Sequence, residues 1–290
     1  MFTAYTIRKV DETSHEGVVA FLKRHEDYAL FLLGNLDVYG CKLTYEPYSG
    51  NFKQIEEAGK IVGVFCLTRS GSILIVSKIQ TDALFEQILE SCKEENIAIR
   101  ALLGDWAFCS PFWAFLKKQG IITVENFIGK MGKEVLYSLD LSKEKVLPQA
   151  KARLLEVSDY LQWWSLRVAY EKEMNLPRVI VEEDEKAMFV SKVKRKVVWG
   201  VFEKGELVSS LELNAKAGDL GQVGGVCTIP HMRRKGYSKV LMLQIMHDAK
   251  VLHGIRKLII FKEENNIPAQ RLYESLGSNQ IGFFALLFGG

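Results

Sequence analysis

Two stretches of this chain repeat one pattern. Ala58 to Leu67 reads AGKIVGVFCL, and Lys204 to Leu213 reads KGELVSSLEL. Each is a glycine-centred turn followed by alternating, β-branched-rich residues, the signal of a strand–turn–strand unit. Such a repeat asks for two copies of one plan rather than one continuous core. After each copy comes another apolar strand, Ile73 to Ile79 in one half and Val223 to Thr228 in the other, and then an amphipathic helix. Leu84, Ile88 and Leu89 mark the first helix. Tyr237, Val240, Leu241, Ile245, Ala249 and Leu252 mark the second, all at helical spacing. Both halves continue with a short β-branched strand, IAIRALLG or IRKLIIF, and a helix stopping at Gly120 or Gly277. Each then finishes in a β-rich tail.

Strands meandering between helices in this order predict a mixed α/β (α+β) chain. Each half is expected to have a mixed, mostly antiparallel sheet flanked by helices. The length of 290 residues and the 48% hydrophobic content suffice for two separate cores. The segment DLSKEKVLPQAKARL is charged, contains Pro148 and lacks apolar periodicity, so it is the predicted boundary, giving domains 1–145 and 146–290.

A formal net charge of +3 is mild and argues against a nucleic-acid partner. The cysteines (Cys41, Cys66, Cys92, Cys109 and Cys227) are widely spaced, without a CxxC pair or a histidine at ligand spacing. They predict buried thiols in a reducing compartment and no metal. The start MFTAYTIRKVDETSHE lacks a cationic segment followed by an apolar core, so no signal peptide is read there. Apolar runs are too short for a membrane span, and a cytoplasmic protein is expected.

The second half contains GGVCTIPHMRRKGYSKVL, from Gly224 to Leu241. Arg233, Arg234 and Lys235 precede Gly236, and Tyr237 opens a helix. The first N–H groups of a helix lack internal partners and carry partial positive charge, and a glycine lets an anion approach them. The stretch is built like a pyrophosphate cradle, although it is neither a P-loop nor a dinucleotide-binding GxGxxG motif.

These residues resemble the acetyl-CoA-binding motif of the GCN5-related N-acetyltransferases, in which a V-x-T/V-x-P strand end leads into R/Q-x-x-G-x-G/A. The matching positions are Val226, Thr228, Pro230, Arg233, Gly236 and Ser238, the last standing where the family prefers glycine or alanine. NNIPAQRLYESLG, from Asn265, resembles the family's N-x-x-A-x-x-x-Y-x-x-x-G segment at Asn266, Ala269, Tyr273 and Gly277. Ser278 follows where an aromatic residue is usual. The resemblance implies that the strand through Val226, Cys227 and Thr228 pairs with the pantetheine arm. It also implies that N–H groups from Arg234 through Lys235, Gly236 and Tyr237 to Ser238 hold the pyrophosphate. Asn266 would contact the pantetheine region, and Tyr273 would sit near the thioester sulfur.

Acetyl transfer from a thioester requires loss of the amine proton, stabilisation of the carbonyl oxygen and protonation of the departing thiolate. Tyr273 fits the last role, and an N–H near Cys227 fits the second. For the base, the strand GQVGGVCT offers no carboxylate. Glu212 alternates with Leu211 and Leu213 and faces either a cleft or solvent. Asp219 is a weaker candidate, and a water chain would also serve. Cys227 reads as a cofactor-lining thiol, and His231, His247 and His253 lack ligand spacing. SKVKRKVV (Ser191 to Val198) reads as a solvated helix end, and LQWWSLRVAY places Trp163 and Trp164 where the family's acceptor site is bordered, with packing as the alternative.

The first half lacks these features. Aligning Gly120 with Gly277 puts Leu116 in the place of Tyr273, and IVSKIQTDALFEQ holds no R/Q-x-x-G. It reads as a degenerate acetyltransferase-like domain, with the cleft between the halves as an expected acceptor site. The resemblance implies direct transfer of an acetyl group to a small-molecule or peptide amine; a monomer and a homodimer are both open. The alternative is a non-catalytic acyl-CoA-binding or sensing protein.

Overall fold

The computed structural model describes residues 5–123, 132–142, 147–173 and 182–289. It divides into two compact units, Met1–Val135 together with Gly282–Gly290, and Leu136–Ile281. The elements run β1 (Tyr5–Lys9), α1 (His15–Arg24), α2 (Glu26–Tyr39), β2 (Gly50–Glu57), β3 (Lys60–Thr68), β4 (Ser72–Ser77), α3 (Asp82–Lys93), β5 (Ala101–Asp105) and α4 (Trp106–Lys118). They continue with β6 (Lys133–Asp140), β7 (Ala152–Leu154), α5 (Tyr160–Glu173), α6 (Glu182–Lys194), β8 (Val198–Glu203), β9 (Glu206–Ala217), β10 (Leu220–Thr228), α7 (Tyr237–His253), β11 (Lys257–Glu263), α8 (Ile267–Glu274) and β12 (Asn279–Phe288).

The strand order is β1-β2-β3-β4-β5-β12 in the first unit and β6-β11-β10-β9-β8-β7 in the second. The strands β4 and β5 pair parallel in the first unit and β10 and β11 in the second, each pair joined by a crossover helix, α3 or α7. The hairpins around them are antiparallel. The repeated turns also correspond: Ala58 and Gly59 have φ of 47° and 74°, and Lys204 and Gly205 have 51° and 85°. Two consecutive left-handed residues make the turn whose twist matches its strands.

The β-rich tail of the second half, β12, runs into the first unit. Phe284 to Phe288 pair antiparallel with Asp105 to Ala101, so the end of the chain completes the first unit's sheet. Ala285 and Leu287 are buried in that unit's core with Leu102, Phe112 and Leu116. An alternating apolar strand fits any sheet edge of matching face, so its spacing carries no information on which sheet it joins. The predicted boundary at 145/146 lies outside the described residues, whereas the compact units change at Val135/Leu136. Leu252, predicted to be on the buried face of its helix, is 47% exposed in the last turn of α7.

The second unit's core includes Leu166, Phe189 and Val198. Under α7 lies a polar cluster. Asp248, itself buried, accepts from Trp199 Nε1 at 2.7 Å and Gln244 Nε2 at 2.9 Å, and pairs with His247 Nδ1 at 2.9 Å. Removing a buried carboxylate strands its donors, so Asp248→Ala is expected to destabilise this unit by about 3 kcal/mol. Urea unfolding followed by far-ultraviolet circular dichroism measures it, and a loss below about 1 kcal/mol would mean that water replaces the carboxylate. Among the described residues no helix is long and apolar enough to cross a membrane, and no cluster of His, Cys, Asp and Glu is arranged to hold a metal ion.

Candidate active site

The site begins with a fault in the sheet of the second unit. Along β9 and β10, Gly224 faces Glu212 and Cys227 faces Ser210, so β10 carries one extra residue between these pairs. Gly225, with φ of 59°, supplies the left-handed residue of this bulge. A bulge bends and twists its strand. The parallel β10–β11 ladder runs from Leu220↔Lys257 only to Val223↔Ile260, whereas pairing to β9 continues to Thr228↔Ser209. The burial of β10 changes at the same point: residues 220–223 are buried and 224–228 are half-exposed. One edge of Gly224–Thr228 is thereby open for an extended ligand to pair with.

The chain then enters α7. Arg234 and Gly236 both adopt left-handed φ, 62° and 84°, and Gly236 is the N-cap, with no side chain capping the helix. Successive N–H groups in such a turn converge on an anion. A Cβ built on Gly236 meets nothing within 4 Å, so the approach is open. The strand end is tied to the helix by hydroxyls. Ser209 donates to the Cys227 carbonyl at 2.7 Å and lies 2.7 Å from Thr228 Oγ1, which lies 2.9 Å from Ser238 Oγ. Each hydroxyl has one proton, so the chain runs Ser238 to Thr228 to Ser209 to carbonyl. Ser238 thus has a local role at the position where the resemblance expects glycine or alanine.

The three cations differ. Arg233 donates Nε to the Thr228 carbonyl at 3.0 Å and closes a two-point pair on Glu173 at 3.0 and 2.5 Å, which makes it a brace between this turn and the end of α5. Lys235 Nζ lies 3.1 Å from Met232 Sδ. Tyr237 donates its hydroxyl to Glu203 at 3.1 Å. Asn266 caps α8, its Oδ1 accepting from the Ala269 N–H at 3.1 Å.

Tyr273, on α8, is 4% exposed, and its ring packs 6.0 Å from that of Tyr137. Its hydroxyl has no hydrogen-bond partner among the described residues. Burial, with the neighbouring Tyr170 hydroxyl adding to it, pushes its pKa well above the usual phenol range. The phenol therefore stays protonated through neutral and mildly alkaline pH.

A small cavity lies beside the bulge. Trp163, Arg167 and Tyr170 line one side from α5, and Ser210, Glu212, Gly225 and Cys227 line the other. Glu212 points inward and is buried, which resolves the choice left open by the strand alternation. Its Oε1 lies 3.7 Å from Arg167 Nη1, and its Oε2 is hydrogen-bonded to Lys192 Nζ. Arg167 is fixed in turn by Glu171, which accepts from Nε at 2.7 Å. Burial disfavours the guanidinium charge, but Glu212 and Glu171 outweigh it and raise the Arg167 pKa. Burial pushes the Cys227 thiol up to about 11, so it is no thiolate nucleophile at neutral pH.

Lys192 sits in the segment expected to be a solvated helix end, yet its side chain is 12% exposed. Arg167 and Tyr170 went unnoticed in the sequence, although Trp163, Arg167 and Tyr170 fall at i, i+4 and i+7 on one helix face. Trp163 is both core and cavity wall. Asp219 instead pairs with Arg256 at 2.9 Å near the start of β10.

The first unit is built differently at each corresponding point. The β3–β4 pairing has no register shift. Thr81 caps α3 by accepting from the Leu84 N–H at 3.2 Å, and Asp82 adds negative charge to the first turn. Leu116 is fully buried where Tyr273 stands.

Residues 159–277 match the Acetyltransferase (GNAT) family, a span holding α5 through α8 and every cavity residue named above. Among curated proteins, none matches the chain. Solved structures share the fold along nearly all of it. A Drosophila protein covers 98% of this chain and 99% of its own, at 14% identity and a TM-score of 0.66. A GCN5-related N-acetyltransferase from Sphaerobacter thermophilus covers 98% and 94%, at 13% identity and 0.59. A tandem GNAT protein from the clavulanic acid biosynthesis pathway covers 99% and 98%, at 12% identity and 0.52. The opened strand, the uncapped glycine turn and the buried tyrosine thus all fall within the GNAT acetyltransferase match in the second unit, and the chain as a whole shares its fold with these structures.

Proposed function

We propose that the second unit is an acetyl-CoA-dependent N-acetyltransferase that moves an acetyl group directly to an amine, and that the first unit has lost this chemistry. The observation that carries the reading is the coincidence at one point of the chain: β10 parts from β11 after Val223 and leads straight into a helix start that no side chain caps. The exposed edge of Val226, Cys227 and Thr228 suits a pantetheine arm, whose amides pair like a strand. The N–H groups from Arg234 to Ser238 suit a pyrophosphate. When bound, acetyl-CoA supplies the thioester carbon that the amine attacks and the sulfur that leaves.

The chain's own residues carry the protons. Tyr273 Oη holds the proton delivered to the departing sulfur. Glu212 receives the proton lost by the amine. Arg167 and Lys192 already pair with its two oxygens, so its contribution is the smaller one. Glu212→Gln is expected to lower kcat/KM by about tenfold, near the foot of the range for a positioned base. A loss beyond about 1000-fold would make Glu212 the dominant group.

Calorimetric titration with acetyl-CoA tests the reading as a whole. One site per chain is expected, lost on Gly236→Asp. A folded protein that binds none would overturn it, and two sites would mean that the first unit keeps a cradle of its own.

A further inference from the structure

Resting on that reading, we infer that the acceptor is a small amine bearing a carboxylate close to its nitrogen, as in an α-amino acid, and that Arg167 selects it. Glu212 faces Gly224 on β10, and its Oε1 comes within 3.5 Å of where a Cβ on Gly225 would stand. The carboxylate is therefore against the strand segment that opens, where an incoming ammonium group finds a counter-charge. Arg167 Nη1 is 3.7 Å from that same oxygen. A site for a cation and a site for an anion are side by side, and only a ligand whose two charges are similarly close fills both.

The guanidinium is prepared for this. Glu171 holds Nε and fixes the plane, and the side chain is 17% exposed at the cavity wall. Among the described residues no acceptor meets Nη2. A carboxylate is the group that a fixed guanidinium edge recognises best, through parallel charge-assisted bonds. Trp163 and Tyr170 close the apolar flank of the cavity. A polyamine places further positive charge against Arg167 and Lys192, and a neutral amine leaves a buried donor without an acceptor; both are disfavoured.

Release of coenzyme A thiol by the full chain, with acetyl-CoA and a panel of α-amino acids, their amides and simple alkylamines, tests this. The acids are expected to exceed their amides in kcat/KM on the order of tenfold to a hundredfold, the effect of charge-assisted hydrogen bonds. Arg167→Gln should raise KM for the acids by a similar factor and erase the difference. Arg167→Lys, which keeps the charge without the fork, should fall between and covers the case in which Arg167→Gln fails to fold. Equal turnover of acids and amides overturns the inference, and so does a uniform loss across all acceptors in Arg167→Gln. Acetyl-CoA affinity, measured by calorimetry on the same preparations, separates the two levels. A wild-type chain that binds acetyl-CoA but transfers to no amino acid overturns this acceptor alone, and one that binds none removes the cofactor reading beneath it.

Discussion

Gly236→Asp is expected to weaken acetyl-CoA binding by about 100- to 1000-fold, corresponding to roughly 3–4 kcal/mol. The effects that add to this are separable. Gly236 has φ of 84°, and an L residue there costs about 1–3 kcal/mol of backbone strain, only part of which falls on the bound state. The aspartate side chain is also a good N-cap, so it takes up the very N–H groups offered to a ligand. Its charge then faces a pyrophosphate at a few ångströms, a repulsion of about 1–4 kcal/mol at the dielectric of a protein surface. Gly236→Ala isolates the strain, because the space around the position is open, and is expected to cost about tenfold or less. Calorimetry on both variants decides. If the aspartate variant binds as tightly as the wild type, the pyrophosphate lies elsewhere. If alanine and aspartate are equally damaging, the loop geometry matters and the charge does not.

Tyr273→Phe carries the other large effect, a fall in kcat of about 100- to 1000-fold, within the range for a positioned general acid. Acetyl-CoA affinity should stay within about threefold, since no protein partner of the hydroxyl is lost among the described residues and the ring keeps its packing on Tyr137. Thermal stability should be unchanged for the same reason. Tyr137→Phe, which removes a hydroxyl lying 3.4 Å from Glu274, serves as the neighbouring control. Turnover that survives in Tyr273→Phe would mean that the thiolate leaves without help. A collapse in affinity would recast Tyr273 as a binding residue. Binding without turnover in the wild type would favour an acyl-CoA sensor.

The plan of each half was legible because local rules enforce it. The paired left-handed residues at Ala58–Gly59 and Lys204–Gly205 make their hairpins whatever packs around them, and the Gly236 turn marks a helix start that no side chain caps. The contrast between the halves was readable in the absence of an R/Q-x-x-G from IVSKIQTDALFEQ and in Leu116 standing where the other half has Tyr273.

What the sequence by itself determined is therefore the two-fold α/β plan, the strand–turn–helix led by Gly236 and the half that contains it. These depend on backbone preferences and periodicities that act over a few residues. The tertiary structure alone decided that β12 completes the first unit's sheet, that Glu212 faces inward, and that Lys192 and Arg167 meet on it from two different helices. Charges brought together from tens of residues apart in the chain leave no periodic trace. Their meeting is fixed by how α5 and α6 pack over β9, and a buried charge is tolerated there only because its partners arrive with it.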